Sequence, residues 1–322
     1  MIRIAIIGLG LIGTSLGMAL RNADPKESPL GPVEVVGFDR EPRVTREARG
    51  RLAIDREART LAEAVREAQI VIVATPVRAM QEVFRELATL LPAGAVVTDV
   101  ASTKAQVCRW ANELLPRTVS FVGGHPMAGR EKSGPAAADP DLFREAIYCL
   151  TATHDTVSQA VEAVEALVRT VGAKPYYIDP EEHDVYVAGI SHLPLLLSAG
   201  LVTATGSSPA WKEMAPLAAT GFRDVSRLAS GDPQMQRDIL LTNPHGLTRW
   251  IDELIRFLVT VREQINAGDG ATIEQMLQQA KAIRDAWLAS KPHLRPGEAD
   301  FTAMPTVERP GLLGFRFPKR EQ

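Results

Sequence analysis

The chain predicts an α/β fold in which a doubly wound sheet domain precedes an all-helical one. Three observations carry this expectation. Short apolar runs alternate with amphipathic stretches through the first half, as in βαβ units that build a parallel sheet. A glycine-rich turn, Gly8-Leu9-Gly10-Leu11-Ile12-Gly13, stands directly after the first apolar run. Beyond Asp179-Pro180 the strand-like texture stops, and apolar residues recur at helical spacing only.

Taken in order, strand-like runs fall at 3–8, 33–38, 70–74, 95–100, 120–123, 147–152 and 174–178. Helical patterns stand between them, among others at 11–21, 43–50, 62–67, 77–91 and 102–115. From Glu181 to the neighbourhood of Ser290, breaks at Gly206-Ser207-Ser208-Pro209, Gly231-Asp232-Pro233, Asn243-Pro244 and Ala267-Gly268-Asp269-Gly270 divide the texture. They mark off about five helices. The expected organisation is therefore a sheet domain over 1–179, a helical domain over 180–291, and an extended proline-rich tail over 292–322.

Composition narrows the function. A length of 322 residues suits two domains. Hydrophobic residues at 45% and charged residues at 23% are ordinary for a soluble globular protein. A net charge of -3 gives no electrostatic case for nucleic acid or an anionic membrane surface. An anionic ligand would then need locally placed cations. Cys108 and Cys149 lack neighbours at disulfide or metal-ligand spacing; both are expected to be buried thiols in a reducing cytoplasm, and no metal site is expected. No targeting segment is read at the amino terminus. The apolar stretch 185–205 raises the question of a membrane span, but Ser191, His192, Pro194 and Ser198 interrupt it. A helix buried on all sides is the expectation.

The glycine turn is the first chemical signal. Gly8 permits the tight turn, Gly10 lets a pyrophosphate approach the backbone, and Gly13 lets helix and strand pack closely. The amino terminus of the helix beginning at Leu11 and Ile12 then faces the phosphates. Such a turn alone is weak evidence, but a strand before it and a helix after it make a Rossmann-type dinucleotide site the strong reading. The second strand runs into Asp39-Arg40. A carboxylate there accepts ribose hydroxyls, which favours NAD over NADP, although Arg40 is able to hold a 2′-phosphate. The interval from Gly13 to Asp39 exceeds the customary spacing of about 20 residues, and the polar segment 24–31 accounts for the excess as a loop. Thr75 and Pro76, at the end of the third run, would lie along the cofactor.

Three later segments are more distinctive: Asp99-Val100-Ala101-Ser102-Thr103-Lys104, Gly123-Gly124-His125-Pro126-Met127-Ala128-Gly129-Arg130-Glu131-Lys132-Ser133-Gly134, and Gly221-Phe222-Arg223-Asp224-Val225-Ser226-Arg227-Leu228-Ala229. With the glycine turn, their order and spacing resemble the prephenate and arogenate dehydrogenases, from the first strand to about Asn243. Glu182-His183-Asp184 and Ser191-His192-Leu193-Pro194 also look like motifs of that family. The appended regulatory domain that some relatives carry is not expected here.

The resemblance implies NAD-dependent oxidation and decarboxylation of prephenate or arogenate. That reaction needs an acceptor for the ring hydroxyl proton, cations for the carboxylates, and a site that excludes water. His125 meets the first need, since a neutral imidazole takes such a proton. It is read on a glycine-flanked loop after a strand, and the resemblance gives the histidine of this motif the same role. Ser102 would orient that imidazole or the hydroxyl, or cap a helix, or both. Arg227 is the implied carboxylate ligand, with Arg223 four residues away on one helical face; guanidinium grips carboxylate in bidentate fashion. His192 is a substrate-pocket candidate through the resemblance, though a lone histidine on an apolar helix is more often a satisfied core residue. Relatives often show a second histidine where Leu195 stands. Glu131 either gates the pocket or pairs with Lys132, and Gln236 is a further candidate for its wall.

The apolar helix over 185–205 is too greasy for a monomer's surface, so a homodimer is expected. Two other readings compete. A β-hydroxyacid dehydrogenase would rely on a lysine in the helical half, where Lys212, Lys281 and Lys291 stand in no convincing motif. A non-catalytic NAD sensor would have no need of a proton acceptor facing a carboxylate clamp. Preference between prephenate and arogenate is not encoded in any one readable residue, and tyrosine feedback is only a family expectation.

Overall fold

The computed structural model describes residues 1–130, 132–152 and 156–290, so the expectations for Glu131 and the 292–322 tail fall outside the described residues. Two compact units form, Met1–Glu253 and a second from Leu254 onward. The first holds an eight-stranded sheet. Its strands are β1 (Ile2–Ile7), β2 (Val33–Phe38), β3 (Arg56–Glu57), β4 (Ile70–Val73), β5 (Val96–Asp99), β6 (Ser120–Pro126), β7 (Ile147–Thr151) and β8 (Lys174–Tyr177). Their spatial order is β3-β2-β1-β4-β5-β6-β7-β8. Because β1 pairs in parallel with both β2 and β4, strand order reverses there. A crevice opens at the carboxyl ends of strands at such a reversal.

Both faces of the sheet are covered. Ile4, Ile6, Ile70 and Ile72 join one core, with Leu16 and Leu20 of α1 (Leu11–Asn22) and Val164, Leu167 and Val168 of α6 (Ser158–Thr170). Ala5, Ile7, Val71 and Val73 join the other. There they meet apolar residues of α3 (Leu61–Val65), α4 (Met80–Leu87) and α5 (Ala105–Leu114), while α2 (Pro42–Gly50) follows β2. Two-sided burial is why these strands read as unbroken apolar runs instead of alternating ones. The doubly wound expectation holds, with one refinement. β7 runs antiparallel to β6, pairing His125 with Cys149 and Pro126 with Tyr148. That pairing carries β6 beyond the expected 120–123, so His125 lies within a strand and not on a loop.

The helical half comprises seven α-helices among the described residues, against the expected five or so: α7 (Pro180–Val187), α8 (Leu193–Gly206), α9 (Trp211–Met214), α10 (Thr220–Ser226), α11 (Pro233–Thr242), α12 (Pro244–Ala267) and α13 (Gly270–Ser290). α9 and α10 are too short to show a period. Asp179 starts α7 by accepting from the N–H groups of Glu181 (2.9 Å) and Glu182 (3.1 Å), with Pro180 at the first helical position. A π turn, Ala188–His192, joins α7 to α8. Pro194 in the first turn of α8 has no N–H to give, so the hydrogen-bond ladder shifts there.

The run Pro180–Gly206 corrects another expectation. It is long and apolar enough to cross a membrane by length and composition, and only 22% of its most apolar window is buried. Within α8 only Ser198 is fully buried. The helix is thus not enclosed by its own chain. In the second unit, Ile255, Phe257, Leu258, Ile265, Leu277 and Trp287 are likewise exposed.

A buried ion pair fixes β6 to β5. Asp99 ends β5 and Lys104 precedes α5, and both side chains are fully inaccessible. Parallel pairing of these strands stops at Thr98 and Val122. Beyond it the Gly124 N–H donates to Asp99 Oδ1 (3.0 Å), and Lys104 Nζ donates to the Gly124 carbonyl (2.6 Å) as well as to Asp99. The Lys104 ammonium, just beyond the end of β5, is therefore turned inward. Replacing Lys104 by Met strands a buried carboxylate and should cost about 3–5 kcal/mol. Urea unfolding at neutral pH measures this; a loss below about 1 kcal/mol would remove the pair from the structural frame.

Candidate active site

The cradle for a dinucleotide is built at the end of β1. Gly8 has φ +94°, and a Cβ there would lie 2.6 Å from the Ala74 carbonyl oxygen. A Cβ on Gly13 would lie 2.0 Å from the Gly8 carbonyl oxygen, so neither position admits a side chain. Gly10, the N-cap of α1, faces open space and offers no side-chain cap. The N–H groups at Leu11 and Ile12 are among those a helix start leaves unpaired, ready for an anion. Leu9 donates its N–H to Asp39 Oδ2 (2.8 Å), and Asp39 Oδ1 accepts from Glu41 N–H (2.9 Å). The carboxylate is thereby held at the mouth of the turn, with lone pairs to spare for hydroxyl donors. Arg40 beside it is exposed. Across the crevice, the Thr75 hydroxyl is buried without a partner, and Pro76 follows it at the surface. An open helix start, a fixed carboxylate and an unsatisfied hydroxyl together fit a dinucleotide.

Further along the same carboxyl edge, His125 is nearly buried. Its Nδ1 lies 2.8 Å from His183 Nε2, with the rings set edge to face. His183 Nδ1 lies 2.8 Å from Asp184 Oδ1. The Asp184 carboxylate also accepts the backbone N–H groups of Lys104 (2.7 Å) and Ala105 (3.0 Å), which caps α5 from α7. Asn243 donates to the Asp184 carbonyl (2.6 Å) and stands 3.4 Å from His192 Nδ1. His192 Nε2 is buried with no partner. Burial, reinforced by His183, Lys104 and His192, holds the His125 pKa well below 6.5. Burial likewise lowers His192 to about 4, against the opposing pull of Asp184. Both rings are neutral at neutral pH.

Ser102 stands between β5 and α5, half-buried, and its hydroxyl has no hydrogen-bond partner among the described residues. It does not cap α5, because Asp184 occupies that role. On the helical side, Arg223 lies on α10, exposed and paired with Asp224 at 3.2 Å. Arg227 is the exposed C-cap of α10 and heads a 3-10 turn, Arg227–Ser230, that packs on α8. Ser198 of α8 accepts the Ala229 N–H at 2.9 Å. Gln236 donates from Nε2 to the Leu228 carbonyl (2.8 Å), so its amide braces this turn.

The structure thus gathers Gly8, Leu9, Gly10, Leu11, Ile12, Gly13, Asp39, Thr75 and Pro76 into one cradle, and His125 with His192 into another cluster. Sequence reasoning missed the roles of Asp99, Lys104, His183, Asp184 and Asn243. His183-Asp184 was visible as a motif at the head of an apolar helix, yet nothing local reveals its partners. Asn243 before Pro244 reads as a break in the helical pattern, and that signal hides a buried bridging amide.

Two family models match the chain: "Prephenate dehydrogenase, nucleotide-binding domain" over residues 18–177 and "Prephenate dehydrogenase, dimerization domain" over residues 179–279. Prephenate dehydrogenase of Bacillus subtilis (strain 168) is 38% identical over 287 residues, spanning 88% of this chain and 75% of that protein. The crystal structure of Synechocystis arogenate dehydrogenase is similar at TM-score 0.74 and 30% identity, covering 89% of this chain and 100% of that one. Prephenate dehydrogenase from Aquifex aeolicus, solved in complex with hydroxyphenyl propionate and NAD+, aligns at TM-score 0.80 and 28% identity over 89% of this chain and 98% of that one. With both halves matched and more than a third of aligned residues identical to a curated relative, the chain belongs to the prephenate dehydrogenase family.

Proposed function

We propose that this protein oxidises and decarboxylates prephenate, arogenate or both with NAD, in the synthesis of tyrosine. The observation that carries the reading is a neutral, almost buried His125 on the same strand edge as the dinucleotide cradle. NAD, when bound, supplies the oxidant that accepts hydride from the hydroxyl-bearing ring carbon. The glycine turn and the start of α1 would hold its pyrophosphate, Asp39 its adenosine ribose, and Thr75 and Pro76 its flank. Asp39 favours NAD over NADP, since a carboxylate repels a 2′-phosphate.

His125 takes the proton of the ring hydroxyl at its free nitrogen. Ser102, whose hydroxyl is otherwise unspent, orients that hydroxyl group. Arg227 grips a carboxylate of the substrate, with Arg223 nearby, and Gln236 steadies the turn that carries Arg227. His192, with its unpartnered Nε2, adds a donor or acceptor to the pocket wall. Loss of carbon dioxide aromatises the ring and draws the reaction forward.

We further propose a homodimer in the cytoplasm. The matched dimerization-domain model and the exposed apolar residues of α8, α12 and α13 support the dimer, and two buried free thiols suit the compartment. Sedimentation should give twice the chain mass of 34.9 kDa; a monomer at micromolar concentration would overturn the assembly.

Purified protein should reduce NAD with prephenate or arogenate, and far less NADP. His125→Asn should lower kcat by on the order of 10²-fold or more with little change in KM. Arg227→Ala should chiefly raise KM. Inactivity with both acids while NAD still binds would refute the reaction.

The pH profile provides a separate check. Only neutral His125 accepts a proton, and its pKa in the folded protein is depressed below 6.5. The acidic limb of kcat/KM should therefore lie below pH 6.5, with activity flat through that value on descending from neutrality. A limb centred at or above 6.5 would exclude His125 as the group that titrates.

A further inference from the structure

The His183–Asp184 pair has no assigned role, and its geometry bears on a question that the reaction leaves open: which nitrogen of His125 carries the proton. A carboxylate can only accept hydrogen bonds. Asp184 Oδ1 lies 2.8 Å from His183 Nδ1, so that nitrogen must be the protonated one. In a neutral ring Nε2 is then a bare acceptor. His125 Nδ1 stands 2.8 Å from it and has to donate. The proton of His125 is thereby assigned to Nδ1, which leaves Nε2 as the lone pair.

We infer that His183 and Asp184 are positioning residues that lock His125 as its Nδ1–H tautomer and so present Nε2 as the proton acceptor. The inference rests on the proposed reaction only where it assigns Nε2 to the substrate. Its competitor is a His183 imidazolium, which would donate to His125 Nδ1 and force the opposite tautomer. The surroundings argue against that cation. Asp184 already receives two backbone N–H groups at the start of α5, so its charge is stabilised without a proton on His183. His183 is 1% exposed. Lys104, itself a buried cation, lies immediately beyond, bonded through its backbone N–H to the same carboxylate.

Asp184 also explains why the lock is rigid. It sits on α7, yet it caps α5, and its carbonyl is held by Asn243 at the end of α11. Its carboxylate is therefore held in place, and the His183 ring is fixed between that carboxylate and His125. The same logic governs serine hydrolases, in which a buried carboxylate fixes the tautomer of a histidine base and its amide replacement leaves the geometry but reverses the tautomer. Here a second imidazole is interposed.

The test reads tautomers directly, without substrate. The full-length protein is labelled with [15N]histidine, and long-range 1H–15N spectra are recorded with and without His125→Asn to assign His125 among the six histidines. The expected result is a pyrrole-type Nδ1 and a pyridine-type Nε2 on His125, and a pyridine-type Nε2 on His183. A pyrrole-type Nε2 on His125, a mixture of tautomers, or a doubly protonated His183 overturns the inference. Asp184→Asn provides the kinetic arm. An amide can present N–H to His183 Nδ1 and reverse the chain, so kcat should fall by on the order of 10²–10⁴-fold while KM changes little. Any loss of α5 capping would appear separately as a lower Tm. A tautomer and kcat unchanged in Asp184→Asn refute the positioning role. If the wild-type tautomer is as expected and neither cyclohexadienyl acid turns over, the reaction fails and the lock stands.

Discussion

A single buried carboxylate ties the molecule's two textures together. Asp184, on the first helix after the sheet, accepts the two backbone N–H groups that open α5, and its neighbour His183 reaches the ring of His125 on β6. Helix starts leave N–H groups unpaired, and a buried start with no partner would be costly. α5 has no cap of its own, as its N-cap residue Lys104 carries only donors, which it gives to Asp99 and Gly124. Asp184 therefore caps a helix and holds the His183 ring with the same pair of oxygens. The sheet and the helices that follow it share a single polar core, so the first compact unit extends to Glu253 instead of ending with the last strand.

Around that node several buried polar groups draw on distant stretches of chain. Asp99 and Lys104 clasp both backbone groups of Gly124, one residue before His125. Asn243 joins Asp184 to the neighbourhood of His192. His192 itself is delivered by a π turn that Pro194 enforces, and that turn admits α12 closely: a Cβ on Gly246 would lie 3.2 Å from Ala188 Cβ. The catalytic candidate is thus fixed by its backbone and by its ring at once.

What sequence could reveal follows from this distribution. The glycine turn, Asp39 and the strand ends form contiguous signals whose geometry is local, and they were readable. His125 was readable through its motif, but its place inside β6 was not, because the antiparallel partner β7 lies beyond an interval with no periodic pattern. His183 is 58 residues from His125, and its bond to that ring leaves no trace in either segment. β3 consists of two charged residues on the edge and gives no apolar signal. The run 185–205 has the composition of an interior, and it supports two expectations, a helix buried on all sides and a dimer core; its own chain leaves most of it uncovered.

His125 lies inside a strand, whereas Arg227, the proposed carboxylate ligand, lies at an exposed helix end, so the proposed site has a fixed part and an adjustable one. A histidine woven into the sheet and bonded through its ring to buried His183 tolerates little alteration. Arg223 and Asp224 on that helix are exposed, and the residues around them can vary without disturbing the core. A scaffold so divided can change which ring acid it admits through substitutions on one side alone. Divergence of preference within such a lineage then requires no rebuilding of its chemistry.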